Sequence, residues 1–569
     1  MNRTYIAYQN RIKYIINIIL IFGILILSRY FQIQILGVDG FQQKLSQKIE
    51  YRKSIKGERG RIYDRNGELL AGNIVKVDLW VNTLNDYESE KICSFAYQYF
   101  NIDSTSLATK LKLNKKKYLP IKKAIIPESL EDILAEVSSI SGLNVDMYNQ
   151  RFYPYEKICS HVVGYTNNKG DGRSGVELQF NDLLSESIKD DVAFDKSSND
   201  RWKNKEKERF NDELNGNDIY LSIDIKLQKY LYEALHKGQD NSLAQSANGI
   251  IVDPFNGDIL AMTGTPSYNP NNFNQYGLAK HKNNVVSKQY EPGSTIKVIP
   301  IIEAIQNLDE QMLIDCEDGE YKIPRTNRII RDHEPHEILS IEEVLAYSSN
   351  IGIVKIADML GEEKTYSSFR KFGLGSKTGV DLPGEEKGKI SKLKKWSKTT
   401  HSTVSFGQEL SVTDMQLSMI YAAIANEGYL LQPKIVKEIH YPSQIVKFDD
   451  AKIVRKVMNA ETSKKVLDML RMAVNIGSGQ NAAIDGYQIA GKTGTAEKYI
   501  NGEYSKTEFV SSFASIFPSS SPKYVCIISV DSPEYNKHWG NITAAPIARE
   551  IIVEMINNNF LTTNYKEIS

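Results

Sequence analysis

The chain has 569 residues, 41% hydrophobic and 25% charged, an ordinary balance for a folded protein and a length that exceeds one core. Lys plus Arg and Asp plus Glu each number 70, so no overall charge directs the chain to nucleic acid. Cys93, Cys159, Cys316 and Cys526 are scattered without CxxC or Cys/His spacing, which argues against a zinc site and, at this size, against any need for a disulfide framework.

Residues 1–13 carry Arg3, Arg11 and Lys13 and no acid, and Tyr14 to Leu27 is apolar except for Asn17 and Gly23. A basic flank before an apolar run begins an export signal. Ser28, Arg29, Tyr30 and Phe31 follow instead of a small-x-small cleavage site, so the expectation is an uncleaved anchor over residues 14–36, extended toward a full span by a snorkelling Arg29. The alternative is a buried core helix. The basic flank places residues 1–13 in the cytoplasm and the remainder outside.

Asp64-Arg65-Asn66-Gly67 is a turn between two short strand-like runs, and Tyr165 to Glu177 is a second turn-rich stretch. Ser185 to Asn217 is polar and reads as exposed loops or a long excursion rather than core. From Asp224, a plausible N-cap, Leu227, Tyr230, Leu231, Ala234 and Leu235 recur at helical spacing. Gly249 to Val252 and Ile259 to Met262 flank a turn sequence and predict a hairpin. Helical segments dominate from about 294 to 430. Strand-like runs return at Tyr487–Ala490, Phe509–Phe517 and Tyr524–Val530, with a last helix near Pro546. Strands at both ends with helices between predict an α/β unit whose sheet is closed by distant segments.

Three short motifs carry chemistry. In Glu291-Pro292-Gly293-Ser294-Thr295-Ile296-Lys297, an apolar helix starting at Pro-Gly places Ser294 and Lys297 on one face, with Ser294 in the first turn, where the dipole favours a developing alkoxide. A buried amine beside a serine can lose its charge and act as its base. Pro300 lies within that helix and predicts a kink. Ser348-Ser349-Asn350 follows the helical segment Ile341 to Tyr347 and offers a hydroxyl and an amide to one cleft. Lys492-Thr493-Gly494-Thr495 follows a strand-like run, and its edge suits pairing with an extended peptide. Each motif alone is weak: by itself the first reads as a solvated helix start, the second as a polar loop, and the third as a turn or part of a phosphate loop that lacks the P-loop spacing.

Their conjunction, SxxK, then SxN, then KTG, is the signature set of penicillin-recognising serine enzymes. The chain resembles the class B penicillin-binding proteins, most closely their septal, cell-division branch. Gly60 to Gly67, Gly172 to Glu177, Leu221 to Asp224, Asp253-Pro254, Ser405-Phe406-Gly407-Gln408 and Ala544-Ala545-Pro546 all look like motifs of that family. The resemblance implies a multidomain α/β (α+β) fold: a transmembrane anchor, an elongated β-rich pedestal over 37–236, and over 237–569 a transpeptidase domain of antiparallel sheet and helices. It implies a peptidoglycan D,D-transpeptidase without metal or cofactor, acting on stem peptides and trapped by β-lactams. Partners would be membrane lipid along residues 14–36, a membrane glycan polymerase and divisome proteins. By the same resemblance Ser294 is the nucleophile, Lys297 its base, Ser348 the relay to the leaving group and Asn350 a substrate-amide ligand. Lys492, Thr493 and Gly494 line the substrate site, and Thr495 shares the oxyanion hole with Ser294 through backbone N–H groups. Two positions depart: Ser349 stands where many relatives carry Asp, and Glu409 where Gly is frequent. An elongation-type transpeptidase, a β-lactamase or carboxypeptidase, and a non-catalytic β-lactam sensor remain as alternatives.

Overall fold

The computed structural model describes residues 2–34, 50–114, 116–126, 130–195 and 214–561. The last two positions of the expected anchor, the first part of the expected pedestal and much of Ser185–Asn217 lie outside them. The chain divides into two compact units, one of Met1–Glu58 with Glu186–Asn215, the other of Arg59–Ser185 with Gly216–Ser569.

In the first unit Asn2–Gln34 is a single helix. Its window Lys13–Tyr30 is long and apolar enough to cross a membrane, and none of it is buried in protein. A core helix would hide such a surface, so the exposure is consistent with the expected anchor. The strand Glu50–Lys56 pairs antiparallel with Ile188–Asp195. Part of the stretch expected to be loops is therefore a strand. Ladder bonds to a partner about 140 positions away in sequence hold it, and composition gives no sign of such pairing.

In the second unit, a five-stranded sheet runs in the order Ala490–Ile500, Glu503–Phe517, Tyr524–Asp531, Ser246–Val252, Ile259–Thr265, every pair antiparallel. The hairpin expected around Asp253–Asp258 supplies two strands, and segments some 230 residues later supply the other three. Successive side chains alternate between two cores. Ile250, Val252, Val525 and Ile527 join one cluster with the buried helix Asp414–Ala425. Ile251, Cys526 and Ile528 join another with the helices Ile225–Ser242 and Ala544–Asn557. A sheet buried on both faces reads as continuous apolar runs, as these strands do.

The helix Ile225–Ser242 begins where the sequence predicts, with the Asp224 carboxylate accepting from the N–H groups of Lys226 and Leu227. It buries Leu227, Leu231, Ala234 and Leu235, roughly 1.5–3 kcal/mol for each leucine. The expected limit at 236/237 lies inside this helix.

A second sheet of seven strands includes Ile62–Tyr63, Leu69–Asn82, Tyr118–Ile125, Leu143–Phe152, Asp218–Leu221 and Val436–His440. The long strand Leu69–Asn82 pairs with both Tyr118–Ile125 and Leu143–Phe152, and a separate cluster around Leu79, Phe95 and Leu107 packs there. Residues in and beside the motifs of this region meet. Glu177, fully buried, binds Arg59 at 2.7 Å and Arg151 at 2.6 Å, and Asp64 accepts from the N–H of Ile225. All four cysteines are buried and free.

Candidate active site

Ser294 does not lie in an α-helix. Gly293–Lys297 is a 3-10 turn, and the α-helix Val298–Asn307 follows it. In 3-10 geometry residues three apart eclipse one another, so Ser294 and Lys297 still share a face. Pro300 falls in the first turn of the α-helix, where its missing N–H leaves no gap in the ladder, so the expected mid-helix kink becomes a change of helix type. The turn is fastened by the Thr295 hydroxyl to Pro292 O and by the Tyr421 hydroxyl to Thr295 O, both at 2.9 Å. Ser294 is half-buried while Lys297 is fully enclosed.

Burial lowers Lys297 from 10.5 to about 7, with the Asp332 carboxylate opposing the fall. Lys297 Nζ donates to Ser348 O at 2.6 Å and to Asn350 Oδ1 at 2.8 Å, and lies 3.5 Å from Ser348 Oγ. A neutral amine has two hydrogens and one lone pair. Two firm acceptors consume the hydrogens and leave the lone pair for a proton from elsewhere. Ser348 holds a φ of 65°, a left-handed conformation that costs a non-glycine residue about 1–2 kcal/mol and that points its carbonyl at the lysine.

Ser349 caps the helix Asn350–Leu360, its hydroxyl accepting from Gly352 N–H. The same hydroxyl donates to Asp332, whose other oxygen accepts from the N–H groups of Asn350 and Ile351. The Asn350 amide is already engaged at both ends, its Nδ2 donating to Arg331 O at 2.9 Å, which leaves one amide hydrogen for a ligand.

Lys492, Thr493, Gly494 and Thr495 lie in the strand Ala490–Ile500, which extends past the Tyr487–Ala490 run anticipated from sequence. It is the outer strand of its sheet, so one edge is available to an added strand. Burial and the charge of Lys297 hold Lys492 well below its ordinary value. Lys492 Nζ and Thr493 Oγ1 reach the same hydroxyl, Ser478 Oγ, at 3.1 and 3.0 Å; the length of the lysine defeats simple alternation. The Ser294 turn presses on this strand. A Cβ on Gly494 would stand 2.6 Å from Pro292 O, and one on Gly293 2.9 Å from Thr495 O. Thr495 Oγ1 accepts from Gly540 N–H at 3.0 Å, and the neighbouring Trp539 ring lies 4.6 Å from that of His333.

Glu409 has a φ of 59°, the backbone that a glycine would adopt freely. Its carboxylate accepts from Thr400 and Thr403, and its N–H donates to Glu291. Burial pushes Glu291 up to about 7, with Tyr504 donating to it. Sequence reading missed Asp332, Ser478, Tyr421, Tyr504 and Gly540. Only Ser478, between Gly477 and Gly479, carried a signal. Among the described residues no cluster of His, Cys, Asp and Glu has a metal-binding arrangement.

Comparison with known proteins places this arrangement in context. The penicillin-binding protein transpeptidase domain matches residues 248–553, and the penicillin-binding protein dimerisation domain matches 54–221. The peptidoglycan D,D-transpeptidase FtsI of Buchnera aphidicola is 31% identical, covering 94% of this chain and 93% of its own length. The probable peptidoglycan D,D-transpeptidase PenA of Neisseria gonorrhoeae is 26% identical over 96% and 93%. Penicillin binding protein 2X of Streptococcus thermophilus superimposes with a TM-score of 0.75 at 20% identity, covering 89% of this chain and 80% of that one.

Proposed function

The chain belongs to the class B penicillin-binding proteins, enzymes of peptidoglycan D,D-transpeptidation, and from that premise we propose that Ser294 carries the reaction as an acyl-enzyme. Ser294 Oγ attacks the carbonyl carbon of the penultimate D-Ala of a donor stem peptide as its proton passes to Lys297 Nζ. The peptide bond to the terminal D-Ala breaks, and the leaving amine takes up a proton through the Ser348 hydroxyl. An amine of a neighbouring stem then attacks the ester and yields a proton, Ser294 regains its own, and a new peptide bond replaces the old one. The oxyanion sits at the N–H groups of Ser294 and Thr495. Asn350, Lys492, Thr493 and Gly494 bind the donor, which adds along the free edge of the strand Ala490–Ile500. A β-lactam enters as a donor mimic and leaves Ser294 acylated.

The observation that carries this reading is the pair of acceptors holding a fully buried Lys297, whose value near 7 suits a general base. The test uses the full chain in detergent with a donor peptide ending in D-Ala–D-Ala and an acceptor amine. Wild type releases D-Ala and forms the amide product, and Ser294→Ala does neither. Product formation by Ser294→Ala would refute the assignment.

The helix around Lys13–Tyr30 spans the cytoplasmic membrane once, with the N-terminus inside and the pedestal and the transpeptidase domain outside. The short stretch from His161 to Glu177, closed by a bridge between Thr166 and Gly172, favours the septal branch, with a glycan polymerase and divisome proteins as partners. Depletion then gives long filaments of normal width; round, swollen cells would place the enzyme in elongation instead.

A further inference from the structure

We propose that Asp332 is a positioning residue for acyl transfer, its carboxylate locking the Ser348–Asn350 turn so that the turn in turn aims Lys297 at Ser294. The inference rests on the reading of Ser294 and Lys297 given above.

Asp332 belongs to a segment between the short strands Ile329–Arg331 and Ile338–Ser340, outside all three motifs and 17 positions before Ser349. One of its oxygens accepts the Ser349 hydroxyl. The other accepts the N–H groups of both Asn350 and Ile351. Three donors from consecutive residues converge on one carboxylate, at the N-terminus of the helix Asn350–Leu360, where negative charge is favoured. The adjoining carbonyl, Arg331 O, takes Asn350 Nδ2. Backbone and side chain of Asn350 are thus both fixed from this one segment. The result is that Oδ1, rather than Nδ2, faces Lys297. Without these bonds the amide has no reason to present its acceptor, and the Ser348 carbonyl, strained at a positive φ, is freed from the turn that holds it.

The carboxylate has a second effect on the same lysine. Among the described residues, the charged groups that bear on Lys297 are Asp332 from this segment and Lys492 from the strand Ala490–Ile500; the Cys316 thiol sits behind Ser349 at 3.6 Å. Asp332 favours the protonated lysine and so keeps its titration from falling further under burial. Removing the charge while keeping the shape should therefore do two separable things. Loss of aim lowers the maximal acylation rate, and loss of the negative charge moves the rising limb of the pH profile to lower pH.

The experiment follows acylation of the full chain in detergent by a fluorescent penicillin from pH 5 to 10. Wild type rises through a limb near 7. Asp332→Asn should lose up to about 10²-fold of the plateau rate, the scale of a small misplacement of reacting groups, with its limb displaced toward acid. Asp332→Glu retains the charge and should keep the wild-type limb at a reduced plateau, and it serves where the amide variant does not fold. An Asp332→Asn limb superimposed on that of wild type, or an Asp332→Glu limb displaced as far as a neutral variant would give, overturns the proposal and leaves Asp332 a helix cap only. Failure of wild type itself to acylate at Ser294 would overturn the underlying reading of the site, and this inference with it, and is distinguished by that control.

Discussion

At the scale of single residues, the site depends on how one buried amine spends its hydrogens. In the proposed mechanism Ser294 attacks as an alkoxide, and a serine hydroxyl does not ionise unaided, so its proton needs an acceptor. Lys297 is one 3-10 turn away, and burial brings it to about 7. The base must be neutral, so acylation should rise with pH through that value and level off above it. Lys297→Ala should fold yet acylate slower by roughly 10²–10⁴-fold, the usual worth of a general base. Lys297→Arg should do no better, because a guanidinium keeps its proton at every working pH. Stopped-flow labelling of Lys297→Arg at wild-type speed would contradict the mechanism. The motif residues were legible because SxxK and KTG impose local geometry: a tight turn and an edge strand place their own side chains. Asp332 was not, because an Asp between two three-residue strands reads as an ordinary turn, and its worth comes from a fold that carries it to a helix start 18 residues on. The reading of Lys297 also lacked that carboxylate, and so assigned it only influences that lower its pKa.

At the scale of elements, the hairpin around Asp253–Asp258 and the cap at Asp224 were written locally and came out as read. The misreadings concern pairing at a distance. Ile188–Asp195 looked like loop because its partner Glu50–Lys56 lies far away, and the strand Ala490–Ile500 looked shorter because its later residues are polar. Pairing also joins Arg59, next to the Gly60–Gly67 motif, to Glu177, 118 positions away: they form one buried ion pair, completed by Arg151. Removing one member of such a cluster leaves uncompensated charge. Glu177→Gln should therefore destabilise the protein by about 3–5 kcal/mol, read as a lowered denaturant midpoint, whereas replacement of the exposed partners Arg173 and Asp171 should change stability by less than about 1 kcal/mol. Equal midpoints for the two variants would show that the buried cluster does not hold the region.

At the scale of the whole molecule, the anchor and the catalytic unit have different solvents. The proposed topology, with the apolar helix as the single span, puts the membrane between cytoplasm and active site. A fluorescent reporter that matures only in the cytoplasm should stay dark when fused after Ser569 and light up when fused ahead of Met1; a bright C-terminal fusion would reverse the topology. The family was legible because several motifs follow in order along almost the entire chain; the septal role rests on the length of one stretch and stands as a proposal. The central claim is that Ser294 forms the acyl-enzyme, and its most direct measurement is mass spectrometry of the full chain after brief exposure to a penicillin, followed by proteolysis and sequencing of the labelled peptide. One adduct per chain, located on Ser294 and absent from Ser294→Ala, is the predicted result. No adduct, or an adduct on any other residue, would contradict the account.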